Sequence, residues 1–223
     1  MMSSPISSPS SPKYRLAIFD LDGTLADSFP WFQRVVNDVA REYGFRQVTP
    51  EDVDMLRRAS SRDILKHLDV PLWKLPKIAA RMRKLKQAQL HDIPLFPGAT
   101  KMLAALAQGG MRLALVSSDN EANARTQLGP ETARLFSDYN CGASLFGKAR
   151  KFKQVLIRAG VSSHHAIAIG DEIRDLEAAR ATGIAFGAVS WGYTDGSALQ
   201  ALKPDEFFST IGQITSRFLP VKK

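Results

Sequence analysis

The sequence predicts an α/β fold: a doubly wound, mostly parallel sheet with a small all-helical domain inserted after its first strand. Three observations predict it. Short apolar runs of strand length recur along the chain and stop at polar residues, the mark of strands buried on both faces. Stretches with helical apolar spacing separate them and end at glycine, giving the strand–helix alternation of a parallel sheet. Between the first run and the first such helix, residues 28–93 read almost wholly as helix.

Order is expected to begin at Tyr14. Residues 14–19 (YRLAIF) form the first strand, ending at Asp20 and the polar turn Asp20-Leu21-Asp22-Gly23-Thr24. Three further strands are expected at Arg112–Val116 (RLALV), 166–169 (AIAI) and 186–189 (FGAV), with a weaker one at 139–143. They end at Ser117-Ser118-Asp119-Asn120, Gly170-Asp171 and Ser190-Trp191-Gly192. Helices are expected at Ala99–Gln108, stopped by Gly109-Gly110, and at 152–159 and 176–182, stopped by Gly160 and Gly183. Within 28–93, Phe32, Val35, Val36, Val39 and Ala40 share one helix face, and Gly44 ends that segment. Thr49-Pro50-Glu51-Asp52 is a helix start: a cap, a proline in the first turn, then acids at the positive end of the dipole. Ser61-Arg62-Asp63 opens another helix, and 72–90 supplies one or two more. Pro94-Leu95-Phe96-Pro97-Gly98 is the expected return hinge.

Composition sets the limits. With 223 residues, 44% hydrophobic and 23% charged, the chain is long enough for one domain carrying an insert and too apolar for global disorder. No apolar run approaches the roughly 20 residues of a membrane-spanning helix. Residues 1–13, opening MMSSPISSPSSP, read as a disordered tail without the basic start and apolar stretch of a secretory signal; a cytoplasmic protein is expected. The single cysteine, Cys141, excludes an intramolecular disulfide and a Cys-rich zinc site. The net charge of +8 favours anionic partners or serves solubility. Residues 28–93 carry 13 Lys+Arg against eight Asp+Glu, so most of that excess sits on the insert.

In open parallel sheets, ligands bind beyond the carboxyl ends of the strands. The acids Asp20, Asp22, Asp171 and Asp175 gather there. Carboxylates converging on one edge repel one another unless a cation lies between them, and an all-oxygen ligand set suits Mg²⁺. A carboxylate at Asp20 can attack phosphorus and form an aspartyl-phosphate. A second carboxyl, Asp22, can protonate the departing oxygen and then deprotonate water. The Ser117 hydroxyl with neighbouring backbone N–H groups can hold a phosphoryl oxygen. A lysine in Gly147-Lys148-Ala149-Arg150-Lys151 can neutralise developing charge, with Lys151 and Lys153 competing with Lys148 for the role. Asp171 and Asp175 stand four apart at a strand-to-helix junction, a spacing that puts both on one helix face.

Taken in order, Asp20-Leu21-Asp22-Gly23-Thr24, Ser117, Lys148 and Gly170-Asp171…Asp175 resemble the motifs of haloacid-dehalogenase-superfamily phosphatases, in the phosphoglycolate-phosphatase-like group with a helical cap. Leu25-Ala26-Asp27-Ser28 is similar to the family's lead-in to that cap. The resemblance runs from about Tyr14 to the C-terminal region. It implies a Rossmann-like core of residues 14–27 and 94–223 and a substrate-specificity cap of 28–93. It implies Asp20 as nucleophile and Asp22 as general acid/base. It also implies Mg²⁺ held by the side chains of Asp20 and Asp171, the backbone carbonyl of Asp22, and Asp175 directly or through water. Thr24, Ser117, Ser118 and Lys148 become the expected phosphate ligands. Glu172 stands where many relatives carry a small hydroxyl residue or Asn, and the lysine segment lacks their Lys-Pro pair. Asp22, where the dehalogenating branch differs, argues for phosphoryl chemistry.

The expected partner is a small phosphorylated metabolite met by a monomer or homodimer. In the insert, Arg57, Arg58 and Arg62 are the candidates for touching an anionic substrate, whereas Arg81, Arg83, Lys84 and Lys86 read as a solvated run and Trp31 and Trp73 as insert core. The four histidines show no metal-ligand spacing. Two enzymatic alternatives share the scaffold: a phosphomutase, and a phosphonate hydrolase that would need a Schiff-base lysine such as Lys66, Lys74 or Lys77. A non-catalytic anion- or nucleic-acid-binding protein is the alternative of another class. No nucleic-acid recognition motif supports it, and aromatics are not interleaved with the basic run.

Overall fold

The computed structural model describes residues 13–142 and 147–219. The expected N-terminal tail, Lys13 apart, and Ala143 of the expected weak strand lie outside the described residues.

Strand β1 (Leu16–Phe19) leads into the helices α1 (Phe29–Tyr43), α2 (Val53–Leu56), α3 (Ser61–His67) and α4 (Leu75–Ala88). Then come α5 (Ala99–Gln108), β2 (Arg112–Val116), α6 (Glu121–Ala133), β3 (Phe136–Asn140), α7 (Lys148–Ala159) and β4 (Ala166–Gly170). The described chain closes with α8 (Ile173–Arg180), β5 (Ala185–Val189), α9 (Gly196–Ala201), β6 (Glu206–Phe208) and α10 (Ile211–Phe218). Among the described residues, six strands form one sheet in the order β3-β2-β1-β4-β5-β6, every pair parallel. The winding direction reverses between β1 and β4, so the ligand crevice of such a sheet falls between their carboxyl ends. Phe19 pairs with Ile169 in register, so Asp20 and Asp171 leave the sheet within one residue of the same level at that crevice.

Alternation along β1 explains why it reads as an unbroken apolar run. Ala17 and Phe19 join one buried cluster with α5, while Leu16 and Ile18 join the other with α7 and α8. Each large side chain fully buried in this way contributes about 1.5–3 kcal/mol.

The weak strand differs in register from expectation: β3 starts three residues earlier and ends at Asn140. Helices α6, α9 and α10 and the strand β6 have no counterpart in the sequence-based reading. Helix α6 is broken at Gly129 (φ 74°) before Pro130, which removes the continuous periodicity that identifies a helix.

The helical segment leaves and rejoins the core at one place. Asp27 N–H donates to the Pro94 carbonyl and Phe96 N–H to the Leu25 carbonyl, both at 2.9 Å, and Ala26 bridges antiparallel to Leu95. The segment has its own small core of Leu56, Leu68 and Val70, while Trp31 and Val35 of α1 pack into the main one. At the expected helix start Thr49 and Asp52 form a capping box, and Ser60 caps α3. Trp73, read as insert core, is instead 75% exposed, because it lies in a short 3₁₀ turn ahead of α4.

Candidate active site

Asp20 follows β1 directly, and its N–H donates to the Ile169 carbonyl at 2.9 Å. Its carboxylate lies beside those of Asp171 and Asp175, with one oxygen from each within 4.8 Å of the others and all three residues buried. Lys148, at the N-terminus of α7, reaches into the group. Its Nζ is 2.8 Å from Asp20 Oδ2 and also bonds Asp175 Oδ1. Burial works against the Lys148 charge, yet Asp175 and Asp20 outweigh it and raise its pKa. Lys151 donates instead to the carbonyls of Ser117 (2.7 Å) and Gly142 (2.6 Å), and burial pulls its pKa down to about 8. Lys153 is exposed.

One lysine does not balance three buried carboxylates. Burial, with the negative charges of Glu172, Asp20 and Asp175, drives the Asp171 pKa well up. Burial likewise raises Asp175 to about 6, against the pull of Lys148. Three converging oxygens with surplus negative charge fit a hard divalent cation such as Mg²⁺. Two hydrogen bonds clamp Asp171 in the orientation a ligand needs. Thr24 Oγ1 donates to its Oδ1 at 2.6 Å and Tyr193 N–H to its Oδ2 at 2.8 Å. Gly23 and Gly192 flank it. At Gly23 φ is +75° and a Cβ would fall 2.2 Å from Asp171 Oδ2; at Gly192 it would fall 2.3 Å from Asp171 Cβ.

Several expectations need correction. Asp171 and Asp175 do not share a helix face, because α8 starts at Ile173 and Glu172 is extended. They converge because Asp175 turns back over the helix start, where Glu172 N–H donates to its Oδ2. Thr24 faces Asp171 and is 2% exposed, so its hydroxyl is a carboxylate clamp rather than a phosphate ligand. Asp22 adds no carboxylate to the cluster; both of its oxygens face Lys86. Glu172 neither joins the cluster nor faces solvent alone, since Arg174 pairs with it, Nε to Oε1 at 3.0 Å.

Ser117 is buried and Ser118 half-buried at the end of β2. With Val116, Lys148, Lys151 and Arg174 they line a cavity of about 10 Å³, room for one water molecule.

The insert meets the site at two places. Lys86, on α4, is 4% exposed, against the solvated run expected of it. Its Nζ lies 2.7 and 2.9 Å from Asp22 Oδ1 and Oδ2 and 2.9 Å from Asp119 Oδ2. Burial lowers its pKa, but Asp22 and Asp119 more than offset this and raise it. Sequence reasoning missed Lys86, and the usable signal was its place beside Met82 and Leu85, which pack on the main core. Arg57 and Arg58 occupy the second place, where both bond groups of the core. Arg57 gives Nε to the Tyr193 carbonyl at 3.0 Å and Nη2 to the Gly192 carbonyl at 2.9 Å. Its guanidinium also lies 5.0 Å from the centre of the Phe29 ring. Arg58 meets Ser197 Oγ (3.1 Å) and Asp195 (3.3 Å). Arg62 is exposed on α3. Tyr193 completes this contact: its hydroxyl is 3.0 Å from Ser28 Oγ, at the start of the insert.

Comparison with known proteins agrees with this geometry. The family model described as haloacid dehalogenase-like hydrolase matches residues 17–189. A phosphoglycolate phosphatase from Synechococcus elongatus is 34% identical over 194 residues, covering 86% of this chain and 92% of that protein. Another from Agrobacterium fabrum is 30% identical over 219 residues, covering 92% and 93%. Among solved structures, a haloacid dehalogenase-like family hydrolase from Streptococcus pneumoniae superposes with a TM-score of 0.76 at 21% identity, covering 92% of this chain and 99% of that one.

Proposed function

Because the chain belongs to the haloacid dehalogenase-like hydrolases, we propose that this phosphatase hydrolyses a small phosphate monoester of the phosphoglycolate type, with Mg²⁺ and an aspartyl-phosphate on Asp20. The observation that carries the reading is the convergence of Asp20, Asp171 and Asp175 at the β1/β4 crevice, with Lys148 paired to Asp20 and Asp175. The substrate class comes from the curated relatives, which are phosphoglycolate phosphatases matched over most of their length.

In this reading Asp20 attacks phosphorus and the ester oxygen leaves with a proton from Asp22. Asp22 then takes a proton from water as water attacks the aspartyl-phosphate, releasing inorganic phosphate and restoring Asp20. The Ser117 hydroxyl, the Ser118 N–H and Lys148 receive the phosphoryl oxygens. Asp20, Asp171 and Asp175 would hold the metal, with Asp22 contributing its backbone carbonyl. Bound there, Mg²⁺ supplies positive charge against the phosphoryl oxygens and the buried acids. Thr24 and the Tyr193 N–H keep Asp171 aimed at the cluster.

Residues 28–93 act as a cap that opens to admit substrate and closes to exclude water. The burial of Lys86 of the insert against Asp22 and Asp119 of the core supports a docked form that must open first. A phosphonate hydrolase would need an uncharged lysine amine in the cap. The buried cap lysine, Lys86, has its pKa raised by two carboxylates, Lys66 and Lys77 are exposed, and Lys74 donates to the Tyr43 carbonyl at 2.7 Å, so the phosphatase reading is preferred. Phosphate release from a panel of esters containing 2-phosphoglycolate, in Mg²⁺ and again in EDTA, tests the proposal. Preference for phosphoglycolate, abolished by EDTA, is expected; metal-independent turnover would overturn it.

A further inference from the structure

Lys86 is a charged side chain to which the reaction just described gives no part. It comes from the cap, yet it is buried among groups of the core. Asp22 lies in the loop after β1 and Asp119 in the loop after β2, two adjacent strands. The ammonium therefore ties three elements together at one point.

Its two acceptors are not equivalent. Asp119 is fixed independently: its Oδ1 accepts from Asn120 N–H at 2.7 Å and from Asn123 Nδ2 at 2.9 Å. Asn123 in turn donates to the Arg83 carbonyl of α4 at 3.4 Å. Asp119 Oδ2 faces the Lys86 ammonium at 2.9 Å as an ion pair. Asp119 thus acts as a rigid anchor that sets where the ammonium sits. Asp22 is the other acceptor, and Lys86 supplies the side-chain hydrogen bonds to both of its oxygens. Asp22 is also the more exposed of the two, 24% against 2% by side chain. Without Lys86 its carboxylate loses its tether and is free to rotate.

We propose that Lys86 is a positioning residue, which orients Asp22 for proton transfer only when the cap is docked and so makes catalysis conditional on closure. This rests on the assignment of Asp20 and Asp22 given above. Held through Asp119, Lys86 fixes the Asp22 carboxylate where the cap meets the core. When the cap swings away on its paired hinge, Lys86 travels with α4 and the positioned carboxyl is lost. The open site is then a poor catalyst of the hydrolysis.

The test compares wild type with Lys86→Met, Lys86→Gln, Asp22→Asn, Lys86→Met/Asp22→Asn and Asp20→Asn. Each is assayed in Mg²⁺ with 2-phosphoglycolate, whose alkoxide needs a proton, and with p-nitrophenyl phosphate, whose phenoxide scarcely does. Misplaced proton transfer lowers rates by about 10²-fold. Lys86→Met is therefore expected to lose about that much in kcat/KM on phosphoglycolate and markedly less on the nitrophenyl ester. The double variant should be no slower than Asp22→Asn alone. Thermal melts check folding; should Lys86→Met fail to fold, Lys86→Gln and Asp119→Asn carry the same comparison of esters. Equal losses on both esters, or losses that multiply in the double variant, would assign Lys86 a merely structural role and overturn the proposal. So would wild-type rates in Lys86→Met. Full activity in Asp20→Asn would instead overturn the nucleophile assignment beneath it.

Discussion

Two of the contacts between the helical insert and the core differ in kind. At α4, a buried ammonium is shared by two carboxylates at the strand ends. At the end of α2, Arg57 and Arg58 grip the loop after β5 mainly through backbone carbonyls, a serine hydroxyl and a partly exposed carboxylate. A buried charge that loses its partner costs about 3–5 kcal/mol, whereas an exposed ion pair contributes about 1 kcal/mol at most. The first contact is thus suited to controlling chemistry, the second to holding the cap in register. The Arg57 side still reaches the site, but indirectly: the loop it grips includes Tyr193, whose N–H clamps Asp171.

That division can be broken or sharpened experimentally. The largest effect belongs to the carboxylate beneath both contacts. Asp20→Asn should lower kcat by about 10³-fold or more while the protein stays folded, since a carboxamide cannot form the acyl phosphate; phosphate release and a melting curve read both. Lys86→Met comes next, with the ester-dependent loss described above. Arg57→Ala should act on binding and closure more than on chemistry. Several-fold higher KM, kcat within a few-fold of wild type and about 1–3 kcal/mol less stability are expected. A kcat loss as deep as that of Lys86→Met would erase the distinction between the two contacts.

Metal binding offers a smaller effect with a definite sign. Asp175 has its pKa raised to about 6 in the folded chain, so its contribution to stability is present below about pH 4 and is lost as pH rises through 6. Mg²⁺ offsets the repulsion that appears over that window. Its stabilising shift in Tm should therefore be larger at pH 7.5 than at pH 5, and a shift that shrinks with rising pH would speak against Asp175 in the metal site. Smallest of all, Arg58→Ala should change stability by about 1 kcal/mol or less and leave kcat near wild type, as its side chain is 57% exposed.

What the sequence revealed follows the same division. The strands that carry Asp20, Ser117 and Asp171 are buried on both faces, so their apolar runs and abrupt polar ends are visible without coordinates. β6, three residues at the sheet edge, and α6, interrupted at Gly129-Pro130, leave no such pattern. In the site, the abrupt strand ends pointed to Asp20 and Asp171, but the turn that brings Asp175 back to them is not the helix-face spacing expected. The direction of the Thr24 hydroxyl was not legible, since a threonine after DxDG can face either a phosphate or a neighbouring carboxylate. Lys86 was hidden in the basic run around Arg81, Arg83 and Lys84, because helical charge spacing does not disclose which side docks. The contacts of Arg57 with the Gly192 and Tyr193 carbonyls were hidden for a related reason: backbone carbonyls are acceptors that leave no trace in residue identity.

The account stands most directly on the covalent state of Asp20 during turnover. Quenching the enzyme with 2-phosphoglycolate and Mg²⁺ and reducing it with borohydride converts an aspartyl-phosphate to homoserine, which peptide mass spectrometry locates. The account predicts homoserine at position 20, dependent on both substrate and metal and absent from Asp20→Asn. An unmodified Asp20 in a sample that is releasing phosphate at its full rate, with a control acyl phosphate reduced alongside, would contradict it.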